Sequence, residues 1–406
     1  METSYAFTDP RAQTVWAKKL FEYAMPNVLL AALMGKNANA FIHVSKELVE
    51  KVGATIIFKA RQRLDNAGVG DDGDTRNSEG QIKRRNMTLV VHERANSTVS
   101  AGRMSEKLTD SNFREDSKLE LGDWVTECIE DDTATAIFGL YNENSSSGDI
   151  ETVNENYPSD NRIYYGGQNA DGTLANSGAS FTTDALLTAD TTANNLMGTN
   201  LLSAIRRRAV NAQPRFRAGK ITDLSKQTPH DVRHGIPGPL VGEFFIVLLH
   251  PYHIKAIRAE SGTTGWAAMV AAAQNRGNQN QIFTGAAFIW DGMVCWEYDR
   301  CPTRTGAGGT TLAEGFKLNA GRTATSDACA NGRTVARAAL LGSQGCCFGW
   351  GMFPQWSEDF VDNNKGKIKV DMIYGAERTG FNAHGTSTRG EDEAIYIIDT
   401  EVQVDA

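Results

Sequence analysis

One stretch constrains the fold of this chain more than any other. From about Asp116 to Asn142, Leu121, Val125, Cys128, Ile129, Ala136, Ile137 and Leu140 recur near every 3.6 residues, and Trp124 widens the stripe. Asp116-Ser117 supplies a helix start, and Glu120 and Asp123 place negative charge in the first turns, where the helix dipole favours it. At 1.5 Å per residue the spacing predicts a helix roughly 40 Å long, well beyond the average of about three turns. Between Arg114 and Asp132 it carries eight acidic and two basic residues, a local net charge of −6. The expectation is a spine with one acidic face.

The rest of the chain must be large enough to surround such a spine. It has 406 residues and a net charge of −8, which suggests two or three domains at roughly 150 residues each. No run approaches the roughly 18 apolar residues of a membrane span, and Met1-Glu2-Thr3-Ser4-Tyr5 lacks the basic head and apolar core of a signal peptide. Thirty-nine glycines without a three-residue period exclude collagen, and 22% charged residues with a small net excess exclude global disorder. The acidic balance argues against a protein that condenses nucleic acid by neutralising phosphates. Cys128, Cys295, Cys301, Cys329, Cys346 and Cys347 form no pair of C-x-x-C knuckles. Without an export signal the chain is expected to fold in a reducing cytoplasm with its thiols free.

Ahead of the spine, Trp16, Leu20 and Tyr23 fall on one helical face, and Pro26 interrupts the pattern. Two β-rich runs follow, Ala54–Ala60 and Met87–His92, separated by a polar stretch with four glycines and four aspartates. This predicts a long hairpin with a polar tip, and a hairpin that long cannot bury both faces on its own chain. Residues 143–195 are rich in Asn, Ser, Thr, Gly and Asp and read as an inserted loop region with short strands. A helix from Leu196 to about Ala212 carries Arg206, Arg207 and Arg208. Strands at 243–249, 287–290, 293–298 and 336–341 alternate with helices at 252–260 and 266–274, an α/β pattern. β-runs at 367–374 and 393–398 close the chain, giving an α+β protein overall.

Few residues arrange themselves for catalysis. Gly68-Val69-Gly70-Asp71-Asp72-Gly73 matches a dinucleotide fingerprint only literally, because its aspartates repel phosphate and no helix follows. Asp71, Asp72, Asp74 and Glu79 miss the spacing of a calcium loop. His250 and His253 lie three apart near a strand end, but Pro251 points to a helix cap and no third ligand is evident. Two basic clusters remain, Lys83-Arg84-Arg85 and Arg206-Arg207-Arg208 with Arg215 and Arg217; only Phe216 interleaves, so pairing with acidic surfaces such as the spine is favoured over nucleic acid. No catalytic, cofactor-binding or metal-binding residue is assigned.

Arm, hairpin, acidic spine, α/β subdomain and closing strands occur in one order. That order resembles the major capsid proteins of tailed double-stranded-DNA bacteriophages, with the Hong Kong 97-like fold. Thr14-Val15-Trp16-Ala17-Lys18-Lys19-Leu20-Phe21, Leu121-Gly122-Asp123-Trp124 and Val247-Leu248-Leu249-His250-Pro251 are similar to the N4-type phage major capsid family. The resemblance implies an N-terminal arm (1–55), an E-loop hairpin (56–103), a P-domain combining 104–142 with 357–406, an insertion (143–195) and an axial A-domain (196–356). It implies hexamers and pentamers tiling an icosahedral shell in the virion, made in the host bacterial cytoplasm and enclosing DNA without reading its sequence. A decoration protein, a portal and a scaffolding protein are the candidate companions, and neither a membrane nor a cofactor is expected. The rival readings are a cytoplasmic metal-dependent enzyme using His250 and His253, and a cellular shell-forming compartment. Under the capsid reading, Trp16, Phe21, Asp71, Asp72, Asp74, Lys83, Arg84, Arg85, Glu120, Asp123, Glu127, Arg206, Arg207 and Arg208 are expected at contacts between subunits.

Overall fold

The computed structural model describes residues 10–37, 39–61, 84–100, 113–141, 162–168, 174–175, 195–212, 216–219, 244–260, 288–305, 317–318, 334–362, 365–381 and 391–403. Four α-helices lie in these residues: α1 (Pro10–Ala24), α2 (Phe113–Phe138), α3 (Thr199–Asn211) and α4 (Pro251–Ala259). The long helix is α2, and its limits correct the expected 116–142. Gly139 takes a left-handed φ of 64°, a stop that glycine tolerates at no steric cost. Leu140–Tyr141 then leaves the helical path and pairs with Lys317–Leu318. At the other end the helix begins at Phe113, so Glu115 and Asp116 are its first-turn acids.

Burial on α2 also exceeds the predicted stripe, because Ser117, Thr126, Thr133 and Thr135 are buried with the apolar residues. The Thr126 and Thr133 hydroxyls donate to the carbonyls of Gly122 and Ile129, four residues back. Polar side chains thus enter the core with their donors satisfied.

Two sheets pack around this helix. The first runs in the order β1 (Met34–Gly35), β2 (Ile42–Ser45), β12 (Cys346–Asp362), β13 (Lys365–Arg378) and β5 (His92–Val99). The second runs β8 (Phe288–Trp290), β9 (Met293–Glu297), β7 (Phe245–Leu249), β11 (Thr334–Leu341), β14 (Ile395–Val402) and β6 (Ile163–Tyr165), with β10 (Thr303–Thr305) also on β11. Strands β7, β11 and β14 are buried at every position, as a sheet covered on both faces requires. Val247, Leu249, Ala338, Leu340 and Ile398 pack with α3 and α4. Their alternates, Ile246, Leu248, Ala339, Leu341 and Ile397, join the core that holds α1 and α2. Glu260 fixes the start of α3, accepting from the Thr199 amide at 3.0 Å and the Thr199 hydroxyl at 2.9 Å.

The sheets cut across two of the expected segments. The closing segment 357–406 divides: β13 belongs to the first sheet, whereas β14 lies inside the second, antiparallel to β11. Segment 143–195 contributes the short strand β6, which runs parallel to β14. Strand β12 runs for 17 residues. It accommodates Pro354 because its register with β13 shifts between Met352 and Gln355, and a bulge tolerates a residue without an amide donor.

The hairpin forms from β3 (Thr55–Arg61) and β4 (Arg84–Val90). One face, Ile56, Phe58, Met87 and Leu89, is buried against Cys347 and Phe381. A Cβ at Gly349 would stand 2.4 Å from Ile56 Cδ1, so only glycine admits the hairpin this closely. The opposite face leaves Ile57 51% exposed. The hairpin tip and the helix expected at 266–274 lie outside the described residues. Among the described residues, no helix is long and apolar enough to cross a membrane.

Candidate assembly surfaces

The three sequence words that carried the resemblance each mark a packing event. In α1, Leu20 is fully buried, Trp16 stacks on Trp356 with ring centroids 5.8 Å apart, and Phe21 meets Trp350 and Phe353 edge-on. The structure therefore places Trp16 and Phe21 against their own chain, where they anchor the arm helix to β12. In the second word, Gly122 lets α1 cross α2 at close range: a Cβ there would lie 2.6 Å from the Tyr23 ring. The Tyr23 hydroxyl donates to Asp123 Oδ1 at 2.9 Å. In the third, His250 caps α4 with Pro251 in its first turn. His250 Nδ1 accepts from the Tyr252 amide, and His253 Nδ1 accepts from the His250 amide.

The acidic residues of α2 part company at its middle. Asp116, Glu120, Asp123 and Glu127 are exposed. Glu130, Asp131 and Asp132 instead hold three other elements, which corrects the expectation of a single acidic face. Glu130 is 2% exposed and accepts from the Tyr298 hydroxyl at 3.2 Å. Burial pushes its carboxyl up to about 7, against the opposing pull of Arg300 and the Leu29 backbone. Asp131 pairs with Arg300. Asp132 accepts from Arg94 at 2.6 Å and from the Tyr374 hydroxyl, and burial raises its carboxyl despite the Arg94 charge. One turn thus ties α2 to β5 and β13 of the first sheet and to the chain beyond β9 of the second.

Two arginines absent from the sequence reading complete this joint. Arg378 and Asp392 are both fully buried with Nε and Oδ2 2.9 Å apart, and Arg378 Nη1 donates to the Ile137 carbonyl at 2.8 Å. Arg337 binds Asp399 through two 2.8 Å hydrogen bonds and donates to the Phe138 carbonyl at 3.1 Å. The last carbonyls of α2 have no partner inside the helix, and here they meet one buried guanidinium from each sheet. The cations also oppose the negative end of the helix dipole. No local signal marks them, because Arg337 and Arg378 stand in strands far from α2 in sequence.

The basic clusters find partners away from α2. Arg85 donates to Glu393 at 3.0 Å and to the Phe381 carbonyl at 3.1 Å. Arg84 begins β4, while Asp71, Asp72, Asp74 and Lys83 lie outside the described residues. Arg206 pairs with Asp291 at 2.6 Å. Arg207 and Arg208 are exposed, and the Arg208 guanidinium lies 4.5 Å from the Tyr164 ring centroid. Within the chain, neither cluster has a salt bridge to the long helix among the described residues.

The histidines and cysteines are placed for packing. Burial holds His253 down to about 3 and His250 down to about 4, and their Nδ1 atoms are taken by the cap. The five described cysteines are free thiols. Burial pushes the half-buried Cys128 up to about 12 and Cys347 likewise to about 12. Cys329 lies outside the described residues. Among the described residues, no three His, Cys, Asp or Glu side chains gather as a metal site.

The architecture has close counterparts. A capsid from a Ralstonia phage, GP4, shares 20% identity with a TM-score of 0.63, and 100% of each chain is covered. A cyanophage Pam1 capsid subunit shares 15% identity with a TM-score of 0.62, covering 93% of this chain and 92% of that one. The head structure of the Helicobacter pylori bacteriophage KHP40 shares 11% identity with a TM-score of 0.61, covering 93% and 91%. Comparison with curated proteins returns no match. The family model described as phage capsid protein matches residues 4–404, nearly the whole sequence. With its two-sheet architecture built around α2, this chain belongs to the phage capsid protein family.

Proposed function

We propose that this chain is a major capsid protein whose copies assemble into hexamers and pentamers of an icosahedral shell around double-stranded DNA. The match to the capsid family over residues 4–404 carries this reading. In it, α2 is the spine, residues 56–103 are the E-loop, β12 and β13 build the P-domain, and the second sheet, including β14, forms the axial domain. The clamped end of α2 supports a stiff subunit, because a helix held by buried ion pairs from both sheets transmits load between them. Many weak contacts between such tiles add up through multivalency. The hairpin supports overlap with a neighbour, since its face bearing Ile57 is exposed. Its tip, including Asp71, Asp72, Asp74 and Lys83, together with Arg84 at the start of β4, is assigned to the P-domain of an adjacent copy.

A closed shell also suits a cellular compartment, and contents separate the two readings. Particles recovered from the native source are expected to protect genome-length DNA from nuclease. Particles with protein cargo and no protected DNA would favour the compartment. An enzyme built on His250 and His253 is disfavoured because both imidazoles are engaged in the α4 cap.

A further inference from the structure

Two charged features of this subunit are only partly matched by opposite charge among the described residues. The first is a cleft of about 750 Å³ at the outer edge of the second sheet, lined by Arg162, Arg207, Arg208, Asn211, Glu391 and Tyr396 among others. Three guanidiniums face one carboxylate there. Arg162 is 2% exposed, lies 5.0 Å from the Phe216 ring centroid, and has Glu391 at 3.6 Å. Arg208 rests on Tyr164. A guanidinium laid on an aromatic face is held in orientation while its N–H edge stays available for a planar oxyanion. Among the described residues, no carboxylate forms a salt bridge with Arg207 or Arg208. In a chain of net charge −8, this is a local excess of positive charge on a braced framework.

The second feature is the first half of α2. Asp116, Glu120, Asp123 and Glu127 are all exposed. At 100° per residue they fall within about 60° of arc and span roughly 16 Å. The neighbouring cations are engaged elsewhere, Lys118 with Glu115 and Arg114 with Glu358. Among the described residues, no Lys or Arg forms a salt bridge with any of the four. Like charges so close on one helix repel one another, so the stripe gains from an external cation.

We propose that the Asp116–Glu127 stripe of one copy docks in the Arg162–Arg207–Arg208 cleft of another. The inference rests on the capsid reading, in which every copy presents both surfaces. The α3 side of the second sheet carries the cleft, and α2 packs in the core on its other side. A patch and its complement at different places on one subunit make a heterologous contact, the kind that closes rings. Guanidinium and carboxylate match in bidentate geometry, and the four carboxylates exceed the cleft's net charge, leaving a salt-sensitive rim.

A charge swap tests this. R207E/R208E and E120R/E127R are each expected to lower particle yield at least about tenfold at low salt, and the four-residue combination to restore most of it. Thermal unfolding of each variant's unassembled subunit, unchanged from wild type, shows that the losses arise at the contact. Rescue in the combination supports the inference. Normal assembly of either pair variant overturns it, as does failure of the combination to recover. If R207E/R208E assembles normally but loses binding to a duplex oligonucleotide, the cleft serves nucleic acid and the inference falls. A wild-type protein that forms no particles overturns the capsid reading and this inference together, whereas particles without rescue overturn this inference alone.

Discussion

Replacing Arg378 by methionine tests the joint at the end of α2. Arg378 and Asp392 are each 0% exposed, so the substitution leaves a carboxylate buried without its cation. Breaking such a pair from one side costs about 3–5 kcal/mol. The Ile137 carbonyl also loses its donor, and an unsatisfied buried acceptor costs about 1–3 kcal/mol. The two terms share one side chain and are not fully additive, so the expected loss is about 4–6 kcal/mol. R378M/D392L removes the buried carboxylate as well and is expected to recover most of the loss, retaining the about 1–3 kcal/mol of the carbonyl. Equilibrium urea unfolding of the unassembled protein, with both single variants completing a double-mutant cycle, measures these terms. A cost below about 1 kcal/mol for R378M, or a double variant no more stable than the single, would refute the reasoning.

Gly122→Ala is expected to destabilise by about 1–3 kcal/mol through the Tyr23 ring, and Y23L in the same chain should relieve it in a thermal scan. Trp16→Ala, which removes the stack on Trp356, should cost about 2–3 kcal/mol and release the arm to limited proteolysis. Glu130 gives a pH dependence of definite sign. Its carboxyl rises from 4.5 to about 7 on folding, so between those values the native chain holds a proton that the unfolded chain has lost. Stability therefore falls as pH rises through this window, by up to about 3 kcal/mol. Glu130→Gln should flatten that part of the profile and be the more stable form at pH 8. The thiols of Cys128, Cys295, Cys301, Cys346 and Cys347 should resist an aromatic disulfide reagent at pH 8 in native C329S protein and react once it is unfolded.

The sequence disclosed what depends on local repetition. The 3.6-residue spacing of Leu121, Val125 and Ile129 announced α2, and the apolar run at 243–249 announced a strand. What it hid depends on partners far away in the chain. Trp16 as a sticky arm residue and Trp16 as an anchor on Trp356 look identical until β12 is placed. The eight acids of 114–132 could be counted, but the four of the exposed stripe could not be told from the three that other elements engage, because Tyr298, Arg300, Arg94 and Tyr374 reach α2 from separate parts of the chain. Arg337 and Arg378 were invisible for the same reason. The family words fared better because each sits at a steric requirement: a glycine beneath a tyrosine ring, a histidine before a proline at a helix start.

Cryo-electron microscopy of the purified protein tests the shell assignment most directly. The expected result is closed icosahedral particles built of hexamers and pentamers, with the exposed face of each hairpin covered by a neighbouring copy. A homogeneous population of small oligomers, with hairpins open to solvent under conditions that keep the subunit folded, would contradict it.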